Sequence, residues 1–410
     1  MFMDSNLAIS TNAPMNKHFF WRPPFIVTVT FIILYVVLDA GLATIVVEHE
    51  PHSPNIYYHH GLKPNLSVKT RWGRDEYQLF TDDLGLKDWS PRQVPREDRH
   101  RRILFLGDSF VEGLGVPYEN TFVGVVRDRI RQRSDGTEVF NGGCLSHSPR
   151  LYLLHLQDLV DRLGMQVDEV VVFIDISDIE DELIYEDFTP GKVTSTFVIR
   201  KLMYFFREHS LLGYVIFTHA RKLQHYLEAV KSWMGAHVHQ ELSPRTSSQT
   251  PVRSTLSRSD RTVPEGGNYY TSRGAWVSND EAFRAWGERG LRLARENLHQ
   301  LVEYAHGKGM DVSFAVYPWP RFTQTPGRAR DVWRKMAAEE NWTLVDLFED
   351  FAAAPDSAAR LFIRGDIHWN ALGHQFVAEH WMAHYCAMRQ STWCEPRVDP
   401  KYEDAAPRLQ

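Results

Sequence analysis

The chain has 410 residues, enough for one large domain or two ordinary ones, and 43% of them are hydrophobic and 24% charged. This composition is typical of a folded globular protein and argues against a disordered one. A net charge of −6 also argues against the basic face that nucleic-acid binding requires. We therefore expect a folded protein with no nucleic-acid partner.

The stretch 25–47 is apolar apart from one acid, Asp39. It is long enough to span a hydrocarbon core of ~30 Å at a rise of ~1.5 Å per residue. Lys17 and Arg22 precede it, whereas acidic residues follow it directly. The positive-inside rule then predicts that residues 1–24 are a cytoplasmic tail and that the remaining chain is exported.

A cleaved signal peptide is the alternative interpretation, because Gly41-Leu42-Ala43 resembles a small-residue cleavage site. Further apolar residues follow that site, however, and the run is long for a signal, so we favour an uncleaved, single-pass anchor in the inner membrane. The main domain is then expected on the periplasmic side. Asp39 lies in the outer half of the span, and we expect it near the interface or paired within an oligomer.

Beyond residues 48–100, which we interpret as an exported lead-in segment, short apolar runs alternate with helical patterns. Five runs are predicted strands, at 103–106, 138–140, 169–174, 312–317 and 343–345. Helices are predicted at 121–133, at 151–163, after Ser278 and at 371–388. Strands that alternate with helices indicate a parallel sheet with helices on both faces, in which sites form at the carboxyl ends of strands.

These elements predict one domain over 101–390, followed by a C-terminal tail at 391–410. Residues 186–275 interrupt the alternation and are interpreted as an insertion, part helical and part rich in Ser, Thr, Arg and Pro. It is expected to serve as a lid or partner surface, or as a spacer. Cys386 and Cys394 are close enough in sequence to bridge in an oxidising compartment, although three unpaired cysteines are equally compatible with the sequence.

Gly107-Asp108-Ser109-Phe110 follows the first predicted strand. A serine hydroxyl there projects from the carboxyl edge of the sheet, and backbone N–H groups at a helix start favour developing negative charge. The motif alone is weak, because Asp and Ser are common in turns.

The segment from Gly365 to Asn370 precedes the last helix and contains Asp366 and His368. A serine nucleophile needs a base, and histidine suits that role because its pKa lies near neutral pH. A carboxylate must orient the imidazole, and Asp366 lies two residues before His368. The alternative is a histidine that merely packs beneath the last helix.

Oxyanion donors should come from the ends of strands two and three, that is, from the segment 141–149, which contains Gly143 and Ser146, and from the segment 175–178, which contains Ser177. An acidic run at 175–187 is interpreted as a solvated loop. The sequence has no recognisable metal-ligand spacing and no zinc motif, so we expect neither a metal nor a cofactor.

Together, and in this order along the chain, these segments resemble the SGNH/GDSL hydrolase superfamily over about residues 101–390. The resemblance implies a three-layer α/β/α sandwich with a five-stranded parallel sheet of flavodoxin-like strand order, and the cleavage or transfer of acyl esters. It also implies that Ser109 is the nucleophile and one backbone oxyanion donor, that His368 is the base, and that Asp366 orients it.

Three features depart from the family pattern. Ser146 stands where a glycine is usual, and Ser177 stands where an asparagine is usual. The loss of one oxyanion donor typically lowers the rate ~100- to 1,000-fold. One residue, rather than two, separates Asp366 from His368, as in exported polysaccharide O-acetyltransferases such as those that acetylate alginate, although in those enzymes the Asp/His block precedes the serine block.

The leading hypothesis is therefore a membrane-anchored, outward-facing serine esterase that acts on an acyl ester or an O-acetylated glycan. The first alternative is an O-acetyltransferase of cell-surface polysaccharide, for which a membrane partner would supply the acyl group. The second is a non-catalytic envelope scaffold or glycan-binding protein.

Overall fold

A computed structural model describes residues 23–47, 50–133, 136–219, 272–325, 327–354, 356–389 and 394. The described residues belong to two compact units, one within 1–48 and 202–251 and the other within 49–201 and 252–410. The expected cytoplasmic tail (apart from its last two residues), much of the insertion and nearly all of the expected C-terminal tail lie outside the described residues.

The apolar stretch near the N-terminus forms helix α1, Pro23–Val46. Its residues 24–46 are long and apolar enough to cross a membrane, and none of its most apolar window is buried inside the protein. This helix is thus a candidate for a membrane span or for a signal anchor. The first unit also contains a helix over residues 211–219.

The second unit is built on an eight-stranded sheet whose order is β10-β9-β8-β6-β7-β5-β4-β3, and β1 and β2 form a separate hairpin. The strands are β1 His52–Asn55, β2 His59–Leu62, β3 Ser67–Trp72, β4 Asp75–Thr81, β5 Lys87–Asp88, β6 Arg102–Gly107, β7 Glu138–Gly143, β8 Glu169–Ile174, β9 Asp311–Val316 and β10 Leu344–Asp346.

Five neighbouring strands, β10, β9, β8, β6 and β7, are parallel. They coincide within a few residues with the five predicted strands. Both β6 and β8 are buried along their whole length, which explains their continuous apolar sequences. These strands form the part of the sheet that the apolar runs predicted.

The prediction of a five-stranded, purely parallel sheet is nevertheless wrong in extent, because β5, β4 and β3 continue the sheet with antiparallel pairing. The sheet is therefore mixed. The segment interpreted as a lead-in supplies these strands. β3 and β4 form a hairpin around Gly73 and Arg74, where Gly73 takes the left-handed conformation (φ 59°) that a tight turn requires.

The helices fall between the strands and beyond them. They are α2 Ser109–Glu112, α3 Phe122–Arg133, α4 Pro149–Gln157, α5 Asp178–Tyr185, α6 Ser195–His209, α7 Ala275–Ser278, α8 Asp280–Ala282, α9 Glu288–Gly307, α10 Gly327–Glu340, α11 Phe348–Ala353, α12 Ser357–Arg360 and α13 Ala371–Met388. Helix α3 packs against α13, and Phe105 of the sheet contacts Phe122 and Trp381 of these two helices. Helix α9 packs against α4 and α5.

Cys386 and Cys394 form a disulfide with a Cα–Cα distance of 5.3 Å, and Cys144 is a buried thiol. Of the two interpretations of the cysteines, the bridged one therefore describes this structure. The bridge ties the end of α13 to the chain that follows it.

We expect the unreduced protein to yield one titratable thiol after unfolding, from Cys144, and three after reduction, because the chain has three cysteines. Thiol titration in denaturant, with and without reductant, measures this. A Cys386→Ser variant should yield two thiols without reduction. Three thiols in the unreduced wild-type chain would contradict the bridge.

Candidate active site

Ser109 is the first residue of α2, directly after the tight turn at Gly107 and Asp108 that ends β6. The Asp108 side chain caps α2 by accepting a hydrogen bond from the Phe110 N–H at 2.9 Å. A Cβ atom on Gly107 would lie 2.1 Å from Cγ2 of Val111, so this turn requires a glycine. The turn places Ser109 at the first position of a helix and at the carboxyl end of a central parallel strand.

Ser109, His368 and Asp366 meet in one hydrogen-bonded chain. The Nε2 atom of His368 lies 2.8 Å from Oγ of Ser109, and its Nδ1 atom lies 2.6 Å from Oδ1 of Asp366. Ser109 is 5% exposed and His368 is 3% exposed. The three predicted residues are thus brought together from opposite ends of the domain, in the arrangement that a nucleophile, a base and an orienting carboxylate would require.

The carboxylate of Asp366 is held by three donors. Its Oδ1 accepts from the backbone N–H and the ring of His368, and its Oδ2 accepts from the indole Nε1–H of Trp72 at 2.8 Å. Burial acts to raise the pKa of Asp366, but the neighbouring His368 and these hydrogen bonds outweigh burial and lower that pKa below its ordinary value. Asp366 is therefore ionised at neutral pH and can stabilise an imidazolium.

Trp72, the last residue of β3, also packs edge-on against the His368 ring, with 5.1 Å between ring centroids. Sequence reasoning missed it, because it lies 294 residues before Asp366 and belongs to the segment interpreted as a lead-in. The hairpin signal at Gly73-Arg74 could have predicted the strand, but no sequence pattern indicates its partner in the site.

Ser146 takes the left-handed conformation, with φ 61°, in the loop after β7. This is the conformation that glycine adopts without cost, and a serine there costs ~1 kcal/mol. Within the described parts of the chain, the backbone N–H groups of Ser109 and Ser146 donate to no protein acceptor. Both are available to an incoming oxyanion.

The loop that carries Ser146 is fixed by Glu112 of α2. One oxygen of Glu112 accepts from the Leu145 N–H at 2.6 Å and also lies 2.9 Å from Nε2 of His52. Burial opposes charge on both side chains, but their mutual attraction and hydrogen bonds raise the pKa of His52 well above 6.5 and lower that of Glu112. A buried ion pair therefore anchors the candidate oxyanion loop.

Gly143 and Ser177, the other two candidates, have their donors occupied in this structure. The Gly143 N–H donates to Oδ1 of Asn141 at 3.0 Å, and a Cβ atom on Gly143 would lie 2.1 Å from the Glu112 backbone nitrogen. The hydroxyl of Ser177 donates to Oδ2 of Asp175 at 2.5 Å. Gly143 thus permits close packing of β7 against α2, and Ser177 closes a local turn.

Four acids of the run after β8 are buried, so its interpretation as a solvated loop is wrong for Asp175, Asp178, Asp181 and Glu182. Oxygen atoms of Asp108, Asp175 and Asp178 lie within 4.8 Å of one another. Burial and mutual repulsion raise the pKa of Asp108 and of Asp178 well above the ordinary value. The Tyr152 hydroxyl donates to Asp178, and the Trp319 indole donates to Asp175. The cluster is therefore held by hydrogen bonds from these two aromatic residues, and it adjoins the serine turn because Asp108 belongs to both.

The profile of the GDSL-like Lipase/Acylhydrolase family matches residues 105–376. The chain belongs to this family, and its esterase-type hydrolase class follows from that membership. Among curated proteins, none matches the sequence.

Several solved structures are similar to this chain. The lipase/acylhydrolase from Enterococcus faecalis is 13% identical, covers 70% of this chain and 96% of its own, and gives a TM-score of 0.36. A catalytic mutant of Axe2, an acetylxylan esterase from Geobacillus stearothermophilus, is 14% identical, covers 74% of this chain and 100% of its own, and gives a TM-score of 0.37. The psychrotrophic esterase EstA from Pseudoalteromonas sp. is 10% identical, covers 71% of this chain and 100% of its own, and gives a TM-score of 0.36.

We expect Trp72→Phe to lower kcat/KM for an ester by about 10- to 100-fold, because it removes a hydrogen bond to a charged group while keeping an aromatic ring in place. Steady-state hydrolysis of an acetyl ester measures this. Trp89→Phe is the matched control and should leave the rate unchanged, since Trp89 contacts arginines away from the site. Equal rates for wild type and Trp72→Phe would show that the indole N–H does not support Asp366.

We expect His52→Gln to lower the free energy of unfolding by roughly 3–5 kcal/mol at acidic pH, because it removes the cation that is paired with the buried Glu112. The folded-state pKa of His52 is raised, so its stabilising effect is full below pH 6.5 and disappears as pH rises through that raised pKa. Urea unfolding across this range measures the difference from wild type.

The control is His384→Gln, which removes a half-exposed histidine from Asp350 and should change stability little at any pH. A His52→Gln deficit that grows with rising pH would contradict the assigned ion pair.

Proposed function

We propose that this chain is a membrane-anchored serine esterase whose active domain lies outside the cytoplasm, with Ser109 as nucleophile, His368 as general base and Asp366 as the residue that orients the base. The observation that carries this proposal is the buried hydrogen-bonded chain from Asp366 through His368 to Ser109. It occurs in a member of the lipase/acylhydrolase family, and its chemistry suits acyl esters.

In the proposed reaction, the Ser109 Oγ attacks the acyl carbon while His368 Nε2 takes the hydroxyl proton. Collapse of the tetrahedral intermediate breaks the bond to the alcohol oxygen, and His368 returns the proton to that leaving group. A water molecule then attacks the acyl-enzyme, gives one proton to His368, and releases the acid while Ser109 regains its hydrogen.

The proposed oxyanion hole consists of the backbone N–H groups of Ser109 and Ser146. Both are at the carboxyl end of the parallel strands, and both lack a protein acceptor within the described residues. The Ser177 hydroxyl is engaged by Asp175, so we assign no donation to it in the resting enzyme. The backbone role of Ser146 explains how a serine can occupy a position where glycine is usual.

Two features support the proposed location. Helix α1 is long and apolar enough to span a membrane, and the Lys and Arg residues nearest to it in sequence, Lys17 and Arg22, precede it. The Cys386–Cys394 disulfide fits an oxidising compartment. We therefore propose a single-pass inner-membrane protein with its ester-cleaving domain on the periplasmic side.

We expect a serine-directed fluorophosphonate to label the detergent-solubilised full chain, and Ser109→Ala to abolish both labelling and ester turnover. The rate should fall by at least ~10,000-fold, because loss of the nucleophile disables the whole triad. In-gel fluorescence and acetyl-ester hydrolysis measure these two effects. Ser67→Ala, an exposed strand serine, is the matched control and should behave as wild type.

The molecule that accepts the acyl group from the enzyme is identified by adding an exported polysaccharide to the same assay. Release of free acetate without the glycan supports an esterase. Turnover that appears only with the glycan, with acetyl groups attached to it, would change the assignment to an O-acetyltransferase. An unlabelled wild-type chain with no turnover would favour a non-catalytic envelope protein.

A further inference from the structure

In the first unit, large apolar side chains are exposed on residues 202–209 of α6 and on the helix over 211–219, and we call them together the apolar face. Each is at least 40% exposed. Its members in the first unit are Leu202, Met203, Phe205, Phe206, Leu212, Val215 and Ile216. Soluble proteins rarely expose so many large apolar side chains within so short a stretch of chain, and such exposure indicates an interaction surface.

The spacing of these residues is helical and one-sided. On α6 the apolar residues recur at intervals of three and four, and Arg200, Lys201, Arg207 and Glu208 occupy the other side. The Arg200 guanidinium lies 2.9 Å from Nε2 of His59, so the polar side of the helix has a protein contact. An amphipathic helix with cations beside a bulky apolar face is typical of segments that lie in a membrane interface.

Asp39 of α1 connects this segment to the apolar helix. Its Oδ1 accepts a hydrogen bond from the Leu212 N–H at 2.9 Å, at the start of the helix over 211–219. A carboxylate inside an apolar span is costly unless it is satisfied, and the first N–H groups of a helix satisfy it while their dipoles favour its negative charge. This contact accounts for the one acid in the span.

The position of Asp39 along α1 gives the depth of the contact. It lies 16 residues after Pro23, the first residue of the helix, or about 24 Å along the axis at ~1.5 Å per residue. A hydrocarbon core is ~30 Å thick, so a helix that starts at the inner boundary carries Asp39 close to the outer boundary. The helix over 211–219 therefore begins at the depth where interfacial helices lie.

We propose that the apolar face lies in the outer leaflet of the bilayer that α1 crosses, with phospholipid acyl chains as its occupant. This inference rests on the proposed anchor and goes beyond it, because it assigns a second membrane contact to the first part of the insertion. The insertion then serves, over these residues, as a membrane-binding element and not as a lid over the active site.

The test uses the full chain in nanodiscs of phosphatidylethanolamine and phosphatidylglycerol. A single bimane label is placed by Phe206→Cys on the apolar face, or by Glu208→Cys on the polar side of the same helix as the matched control. The native cysteines do not compete, because Cys144 is buried and the other two are bridged. Lipids that carry a spin label near the headgroup quench from the bilayer, and iodide quenches from water.

We expect the label at position 206 to lose most of its emission to the spin-labelled lipid and to resist iodide, and the label at 208 to show the reverse order. Leu202→Cys provides a second reporter with the same expected result. Quenching of the 206 label by iodide alone would overturn the proposal. Protection from both quenchers would also overturn it, because a protein or a second copy would then cover the face.

A label introduced by Ile33→Cys in α1 separates the two proposals, and for this position the lipids carry their spin label deep in the acyl chain, because Ile33 lies near the middle of the span. If lipid quenches position 33 but not position 206, the anchor stands and the interfacial contact fails. If lipid quenches neither position, the anchor itself fails, and the interfacial contact fails with it. The serine-esterase assay does not depend on either result.

Discussion

A histidine and a carboxylate are buried together at the centre of this site, and the surrounding structure serves to make that burial possible. Removing an ionised carboxylate from water costs several kcal/mol unless its oxygens are satisfied. For Asp366 the compensation comes from His368 and from the indole of Trp72. Because Trp72 is in β3, the antiparallel part of the sheet is required by the electrostatics of the candidate triad.

The same antiparallel segment also supports the turn around the serine. Lys87 of β5 is buried and donates to the backbone carbonyls of Gly113 and Val116, just beyond α2. Burial lowers the pKa of Lys87 to about 7, so a neutral amine can fill this position near physiological pH. On the other side, His52 holds Glu112, which in turn holds the loop of Ser146. The residues before β6 thus position both the turn that carries Ser109 and the candidate oxyanion loop.

The departures from the family pattern have a common physical explanation. A backbone N–H can serve whatever side chain accompanies it, provided that the backbone reaches the required conformation, and Ser146 does so in the left-handed region. A side-chain donor is less replaceable. The short hydroxyl of Ser177 donates to Asp175, so the proposed oxyanion hole consists of backbone donors alone.

The sequence by itself determined the local and periodic features of this protein. Apolar runs bounded by turn residues predicted the five parallel strands, and the positions of Ser109, Asp366 and His368 followed from motifs whose chemistry needs those residue types. Continuous apolar strands and tight glycine turns depend on residues that are close together in sequence, so they can be predicted without a structure. The apolar stretch that forms α1 could be predicted for the same reason.

Only the tertiary structure decided which distant groups satisfy one another. The partnership of Trp72 with Asp366 spans 294 residues, and the burial of Asp175 and Asp178 depends on hydrogen bonds from Trp319 and Tyr152. A run of acids in a sequence predicts a solvated surface, because the residues that permit its burial lie elsewhere in the chain. The lead-in segment became sheet for a related reason: its short strands are stabilised by pairing with β7, and a pairing partner is a property of the fold.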